Sequence, residues 1–188
     1  MAIWNAILGC DPGRTGGFAE IRIRTRLVRS WAMPEADDRG LNVEGVLGIL
    51  DQLAPTSTLA YIEWPSGRPG ESAEFAFRFG LQCGALDAAM KARGFSVRHL
   101  SPNAWTGALR LVGKQHPDAI KIRQKLWAEL YPAFSHLTRG PKGGTLDGIL
   151  DAALIAHYGL LANSGMGLKT GRRQPNLTLE GPDGIRET

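Results

Sequence analysis

The segment Ile149-Leu150-Asp151-Ala152-Ala153-Leu154-Ile155-Ala156 is apolar nearly all round a helix, which leaves the chain few ways to fold. A helix without a polar face must be enclosed, so the remaining residues have to supply elements that cover it. Thr145 is its expected N-cap, and the helix is expected to run through Leu161. Asp147 and Asp151 stand one turn apart, so their carboxylates share a face, with Cβ atoms about 5–6 Å apart. Like charges so placed weaken a helix, and buried carboxylates need neutralising partners. A divalent cation meets that need. The bland alternative is a pair of acids favoured by the positive helix N-terminus, which suits Asp147 better than Asp151.

Strands to enclose such a helix are legible in the first third of the chain. Ile7-Leu8-Gly9-Cys10 runs into Asp11, and Pro12-Gly13 turns the chain, as when a buried strand ends with an acid at its rim. Asp11 is therefore either a metal ligand or an ordinary turn residue bonding the backbone beyond it. Phe18, Glu20, Arg22, Arg24 and Arg26 alternate with Ala19, Ile21 and Ile23. That period of two predicts a strand with one wet and one buried face, its arginines forming a charged sheet surface. Leu27 to Met33 is expected to pair back in an antiparallel meander. Leu59-Ala60-Tyr61-Ile62 reads as a central strand closed by Glu63. If it lies beside the first strand, Asp11 and Glu63 converge.

Pro34 to Gly40 is a polar loop, and Val43, Val46, Leu47 and Leu50 mark a helix over Leu41 to Leu53 that covers one sheet face. Glu63 to Gly70 holds two prolines and is expected to be a mobile loop. Glu71 to Arg93 reads as a long helix with Ala76, Gly80, Gly84 and Ala88 on one stripe. Glycine costs a helix about 1 kcal/mol, so the stripe signals close approach of the sheet beneath or of the same helix in a second subunit. The extra apolar surface of Phe75, Phe77 and Phe79 favours the subunit. Trp64 and Phe75 are read as packing residues rather than as platforms for opened bases. Phe95 to Leu100 is a strand after a Gly94 helix stop. Ser101 and Pro102 then start a short helix through Trp105 and Leu109. The helix from Pro117 to Tyr131 is expected to bury Ile120, Trp127 and Leu130, with Arg123 and Lys125 on its solvated face. Beyond Leu161 no periodicity remains.

The chain of 188 residues, 43% hydrophobic and 21% charged, suits one core. The expected arrangement is α/β, a mixed central sheet in which an antiparallel meander is followed by parallel strands, with helices on both faces. Residues 1–162 form the domain and 163–188 a flexible polar tail. A net charge of +4 suits a polyanionic partner without requiring one. Cys10 and Cys83 are too few for a disulfide framework and lack metal spacing. Met1 to Leu8 has no basic flank, and no run approaches the ~20 apolar residues a bilayer demands. A cytoplasmic protein with no membrane contact is the expectation.

The Asp-Pro-Gly turn, the glutamate closing a central strand, and the helix Asp-Gly-Ile-Leu-Asp-Ala-Ala-Leu-Ile-Ala-His together resemble the RuvC family of Holliday junction resolvases, in the RNase H-like nuclease superfamily. The resemblance spans about Ile7 to Leu161 and looks more like phage-borne relatives. Phe79-Gly80-Leu81-Gln82-Cys83-Gly84 resembles the family's dimer-interface helix. The resemblance implies an RNase H-like fold, an acidic tetrad of Asp11, Glu63, Asp147 and Asp151, and Lys121 near the scissile phosphate. Two departures stand out. The last two acids are four apart where bacterial RuvC proteins more often show three, which leaves open which of them is the closer ligand. Thr106 stands where another family lysine is expected, with Lys114 as its candidate replacement.

The implied activity is Mg²⁺-dependent resolution of four-way DNA junctions by paired symmetric nicks, in a homodimer with no small-molecule substrate. Two Mg²⁺ ions per site are implied, with Mn²⁺ as a substitute. The residues agree with that chemistry. An acid-only cluster suits a hard cation, and two such ions serve an attacking water and a leaving oxygen together. Paired nicks suit a two-fold dimer, joined through the Glu71 to Arg93 helix. The alternatives are another RNase H-like nuclease acting on flaps, branched DNA or RNA–DNA hybrids, and a non-catalytic nucleic-acid-binding relative.

Overall fold

The structure is a computed structural model that describes residues 4–35, 40–64, 70 and 72–164. Five strands form its sheet: β1 (Ala6–Asp11), β2 (Gly17–Arg22), β3 (Val28–Ala32), β4 (Thr58–Glu63) and β5 (Ser96–Leu100). Their spatial order is β3-β2-β1-β4-β5. The first three pair antiparallel, and β4 and β5 add in parallel beyond β1. This is the mixed sheet that the sequence predicts, and β1 does lie beside β4, with Cys10 opposite Ile62.

Alternate residues of β1 feed two cores. Leu8 and Cys10 join Phe18, Ala60 and Ile62 beneath α1 (Val43–Leu50) and α2 (Ala73–Ala92). Ile7 joins Ala19, Ile21, Leu59 and Tyr61 on the opposite face, under α5 (Asp147–Asn163). Two shorter helices, α3 (Pro102–Ala108) and α4 (Ala119–Leu130), close that second layer with the buried indoles of Trp105 and Trp127. The α3 start is as expected: Ser101 Oγ accepts from the Ala104 N–H, with Pro102 in the first turn. Gly94 has φ of 84° after α2, as a helix stop requires. Among the described residues no helix is long and apolar enough to cross a membrane.

The enclosed helix is α5, buried from Gly148 to Leu160. It approaches β1 until backbone meets backbone. A Cβ on Gly9 would stand 2.1 Å from the Ala152 carbonyl oxygen and 2.5 Å from the Ala156 nitrogen. A Cβ on Gly148 would stand 2.1 Å from the Thr15 carbonyl oxygen. No side chain fits at either place, so these glycines set the depth at which α5 rides on the sheet.

Several local expectations are corrected. The second strand has no wet face: Phe18 and Glu20 are both fully buried. It lies between β1 and β3 with helices over both faces, so alternation of polarity along it does not report exposure. Glu20 is neutralised by Arg29 at 2.8 Å and Arg22 at 3.3 Å, and the strand ends at Arg22, leaving Arg24 and Arg26 in the turn. In α4, Ile120 and Leu130 are exposed; the buried line is Ala119, Arg123 and Trp127 at i, i+4 spacing. Arg123 is therefore inside, not solvated. Thr145 does not cap α5, which starts from Leu146 without a side-chain cap; its hydroxyl accepts from Gln124 instead. In α1 the buried residues are Val46, Ile49 and Leu50, and Val43 is exposed. Phe75 is also exposed, and Trp64 is half-buried and stacked on His99 with ring centroids 4.2 Å apart.

The glycine stripe of α2 does not touch the sheet. Among the described residues nothing lies within 4 Å of a Cβ added at Gly80 or Gly84, and α2 packs inward through Cys83, Leu86, Ala89 and Met90. The region expected to be a mobile loop falls largely on residues 65–69, and the expected tail largely on 165–188; both lie outside the described residues.

Replacing Gly9 by alanine is expected to lower the unfolding free energy by about 2–3 kcal/mol, read by urea denaturation. Gly80→Ala, in open space on an exposed helix, is expected to be neutral or stabilising in the monomer by up to about 1 kcal/mol.

Candidate active site

Parallel pairing puts the C-terminal ends of β1 and β4 at one edge of the sheet, so Asp11 and Glu63, each the last residue of its strand, come to the same edge. Helix α5 begins at that edge with Asp147 and carries Asp151 one turn in. A cavity of about 290 Å³ opens there, lined by Asp11, Thr15, Lys114, Arg123, Asp147 and Asp151 among others. The acids differ in depth. Asp151 is 4% exposed and Glu63 5%, whereas Asp147 sits at the exposed mouth. Glu63 lies outside the cavity lining, held by the Trp105 indole, whose Nε1–H donates to Glu63 Oε1 at 2.8 Å. Asp11 is both a turn residue and part of the cavity lining. Its Oδ1 accepts from the Gly13 N–H at 3.2 Å as a turn residue, and its carboxyl also faces the cavity.

The electrostatics show a cluster short of positive charge. Burial, reinforced by the charges of Glu63 and Asp151, pushes the Asp11 carboxyl up to about 6, against the opposing pull of Lys114 and the Gly13 N–H. Asp147 is raised by burial and by Asp151, against Arg123 and Lys114. Burial alone would lower Lys114, but Asp151, Asp11 and Glu63 outweigh it and hold the ammonium charged. Among the described residues, two cations serve these four acids. Lys114 Nζ stands 2.9 Å from Asp151 Oδ2, and Arg123 Nε stands 3.4 Å from Asp151 Oδ1.

The donor set fits a hard divalent cation in kind. It is all carboxylate oxygen and partly desolvated, and burial raises the Asp11 carboxyl even with Lys114 nearby. Among the described residues, no three such side chains are already drawn tightly around one point; the Lys114 ammonium lies among them.

Of the basic residues singled out in the sequence, Lys114 reaches the cluster, while Lys121 points outward on α4 and pairs with Asp118 at 3.3 Å. Thr106 bonds back within α3, its hydroxyl donating to the Pro102 carbonyl at 2.8 Å. Sequence reasoning missed Arg123 and Trp105. The signal for Arg123 was its spacing of four from Trp127, which places the two on one stripe. Nothing in the local pattern marks Trp105 as the partner of a strand-end glutamate.

The fold and this geometry can be set beside known proteins. No protein-family model and no curated protein matches the sequence. Solved structures do match. A structure of Thermus thermophilus RuvC in complex with a Holliday junction substrate superposes with a TM-score of 0.58 at 16% identity, covering 85% of this chain and 96% of that one. A second Thermus thermophilus RuvC structure gives 0.52 at 17% identity, covering 84% and 95%. The chain has the RuvC fold. This chain places acids at the sheet edge where β1, β4 and the start of α5 meet.

A raised Asp11 carboxyl fixes a sign. Between about pH 4 and pH 6 the folded protein holds a proton that the unfolded chain has released, so stability falls as pH rises through that window. Asparagine does not titrate. In chelator, the stability of Asp11→Asn relative to wild type is expected to grow by about 2 kcal/mol from pH 4 to pH 8, as measured by urea unfolding; parallel curves would contradict the assignment.

Proposed function

We propose that this protein is a metal-dependent endonuclease that cuts branched DNA, with four-way junctions as its substrate, acting as a homodimer. The observation that carries the reading is the meeting of Asp11, Glu63, Asp147 and Asp151 at one edge of a RuvC-type sheet. The solved RuvC structure with a Holliday junction substrate supports the choice of substrate.

Asp11, Asp151 and Glu63 would hold Mg²⁺, and Asp147 at the mouth would complete the set. Bound there, two Mg²⁺ ions would supply an activated water and charge stabilisation at the phosphorus and the leaving 3′ oxygen. The chain's own residues do the rest. Burial of Asp151 and Glu63 at the cavity strengthens the charges they carry. Lys114 leaves Asp151 for a non-bridging phosphate oxygen as the strand arrives, a short movement for a flexible side chain that is 45% exposed. Lys121, exposed on α4, offers a further contact to the backbone of the bound strand.

Dimerisation is assigned to α2. Its outer face presents Phe75, Phe77 and Leu81, each more than half exposed, beside the open stripe of Ala76, Gly80, Gly84 and Ala88. Bare apolar surface on a helix with room for close approach suits a second copy of itself. Two-fold symmetry then provides one cavity per nick.

Purified protein with a synthetic four-way junction and Mg²⁺ is expected to give paired nicks, with duplex, flap and RNA–DNA hybrid substrates cut more slowly. Asp11→Asn is expected to slow cutting by about three orders of magnitude or more; full activity would overturn the site. Leu81→Glu is expected to convert a dimer to a monomer by light scattering at micromolar concentration, with junction resolution lost and the fold intact by circular dichroism.

A further inference from the structure

Arg123 and Trp105 stand behind the carboxylates of the cavity without contributing an oxygen ligand themselves. The Arg123 guanidinium is buried, and among the described residues its Nε and Nη2 make no hydrogen bond. Burying a cation so poorly satisfied is costly, and the stripe of Ala119 and Trp127 around it would pack as well on an apolar chain. What the guanidinium does have is a position. It lies 5.7 Å from the centroid of the Trp105 ring and 3.4 Å from Asp151 Oδ1. The same indole donates to Glu63 Oε1 at 2.8 Å. One unbroken contact path therefore runs from Asp151 on α5 through Arg123 on α4 and Trp105 on α3 to Glu63 at the end of β4. The one direct hydrogen bond between α5 and β4 among the described residues, from the Asn163 amide to the Tyr61 hydroxyl at 2.8 Å, lies at the far end of the helix from Asp151 and does not orient either carboxylate.

We infer that Trp105 and Arg123 are positioning residues, a bracket that fixes the carboxylates of Glu63 and Asp151 relative to each other for divalent-cation binding. The bracket acts on one oxygen of each acid. Trp105 occupies Glu63 Oε1, which leaves Oε2 for a ligand, and Arg123 stands on Asp151 Oδ1. Donors behind a metal-binding carboxylate orient it and tune its basicity, and their loss commonly costs 10- to 100-fold in metal affinity. The inference rests on the metal-dependent reading of the cavity and adds the groups that make it specific.

The test is Mn²⁺ binding to the intact, DNA-free protein, followed by electron paramagnetic resonance, together with junction kinetics. Trp105→Phe, which keeps the buried ring and removes only the donor, is expected to weaken Mn²⁺ binding about 10-fold or more. Its kcat should fall with KM for the junction unchanged. Arg123→Met keeps the apolar stem against Trp105 and leaves Asp151 its Lys114 partner. It is expected to weaken Mn²⁺ binding similarly while the melting temperature holds or rises, a split that a merely structural arginine would not give. If Trp105→Phe fails to fold, Arg123→Met decides alone. Mn²⁺ affinity within twofold of wild type in the folded variants overturns the bracket while leaving the nuclease reading intact. Wild-type protein that binds no Mn²⁺ overturns both.

Discussion

Everything at the candidate site depends on a contact between two backbones. Helix α5 lies so closely against β1 at Gly9, and against the Thr15–Gly16 turn at Gly148, that neither glycine has room for a Cβ. Any side chain there would lift the helix, because backbone cannot yield as a flexible side-chain tip can. The consequence is chemical as much as mechanical. Lifting α5 would carry Asp151 away from Asp11, whose raised carboxyl reflects burial first and then the nearness of Glu63 and Asp151. The apolar faces of α5 hold the helix in place, and the glycines decide how deep that place is.

Charge at the sheet edge is arranged around a shortage. Four carboxylates converge on the ends of β1 and β4 and the first turns of α5, and Lys114 and Arg123 both stand on the deepest of the α5 pair. Asp151 is thereby compensated in the folded chain, while burial with Glu63 and Asp151 nearby raises the Asp11 carboxyl to about 6. A fold alone would gain more from apolar residues at these positions. The cost is tolerable because Asp151 already has two cations and Glu63 an indole donor, so no acid there is both deeply buried and wholly unpartnered.

Much of this was legible in the sequence, for definite reasons. Strand-end acids before turns, the antiparallel meander, the Ser101-Pro102 helix start and the apolar helix with its two aspartates are local patterns, and local physics produces them. What escaped was set by the second layer. Glu20 looks solvated in an alternating strand, yet helices cover both faces and Arg29 supplies its charge from the neighbouring strand. Arg123 looks solvated on a basic helix, yet it shares a stripe with Trp127. The open stripe of α2 is the converse case: small residues that signalled close approach meet nothing among the described residues. In each instance the sequence shows the residue, and only the packing shows what stands opposite it.

The claim that most needs testing is that acids far apart in sequence form one cation site. Crystals of the protein soaked in Mn²⁺ and measured for anomalous scattering test it directly. The account predicts strong anomalous peaks in the cavity, bonded to Asp11 and Asp151 with Glu63 or Asp147, and Lys114 displaced from Asp151. Peaks confined to other surfaces, with the Lys114 to Asp151 pair unchanged, would contradict it.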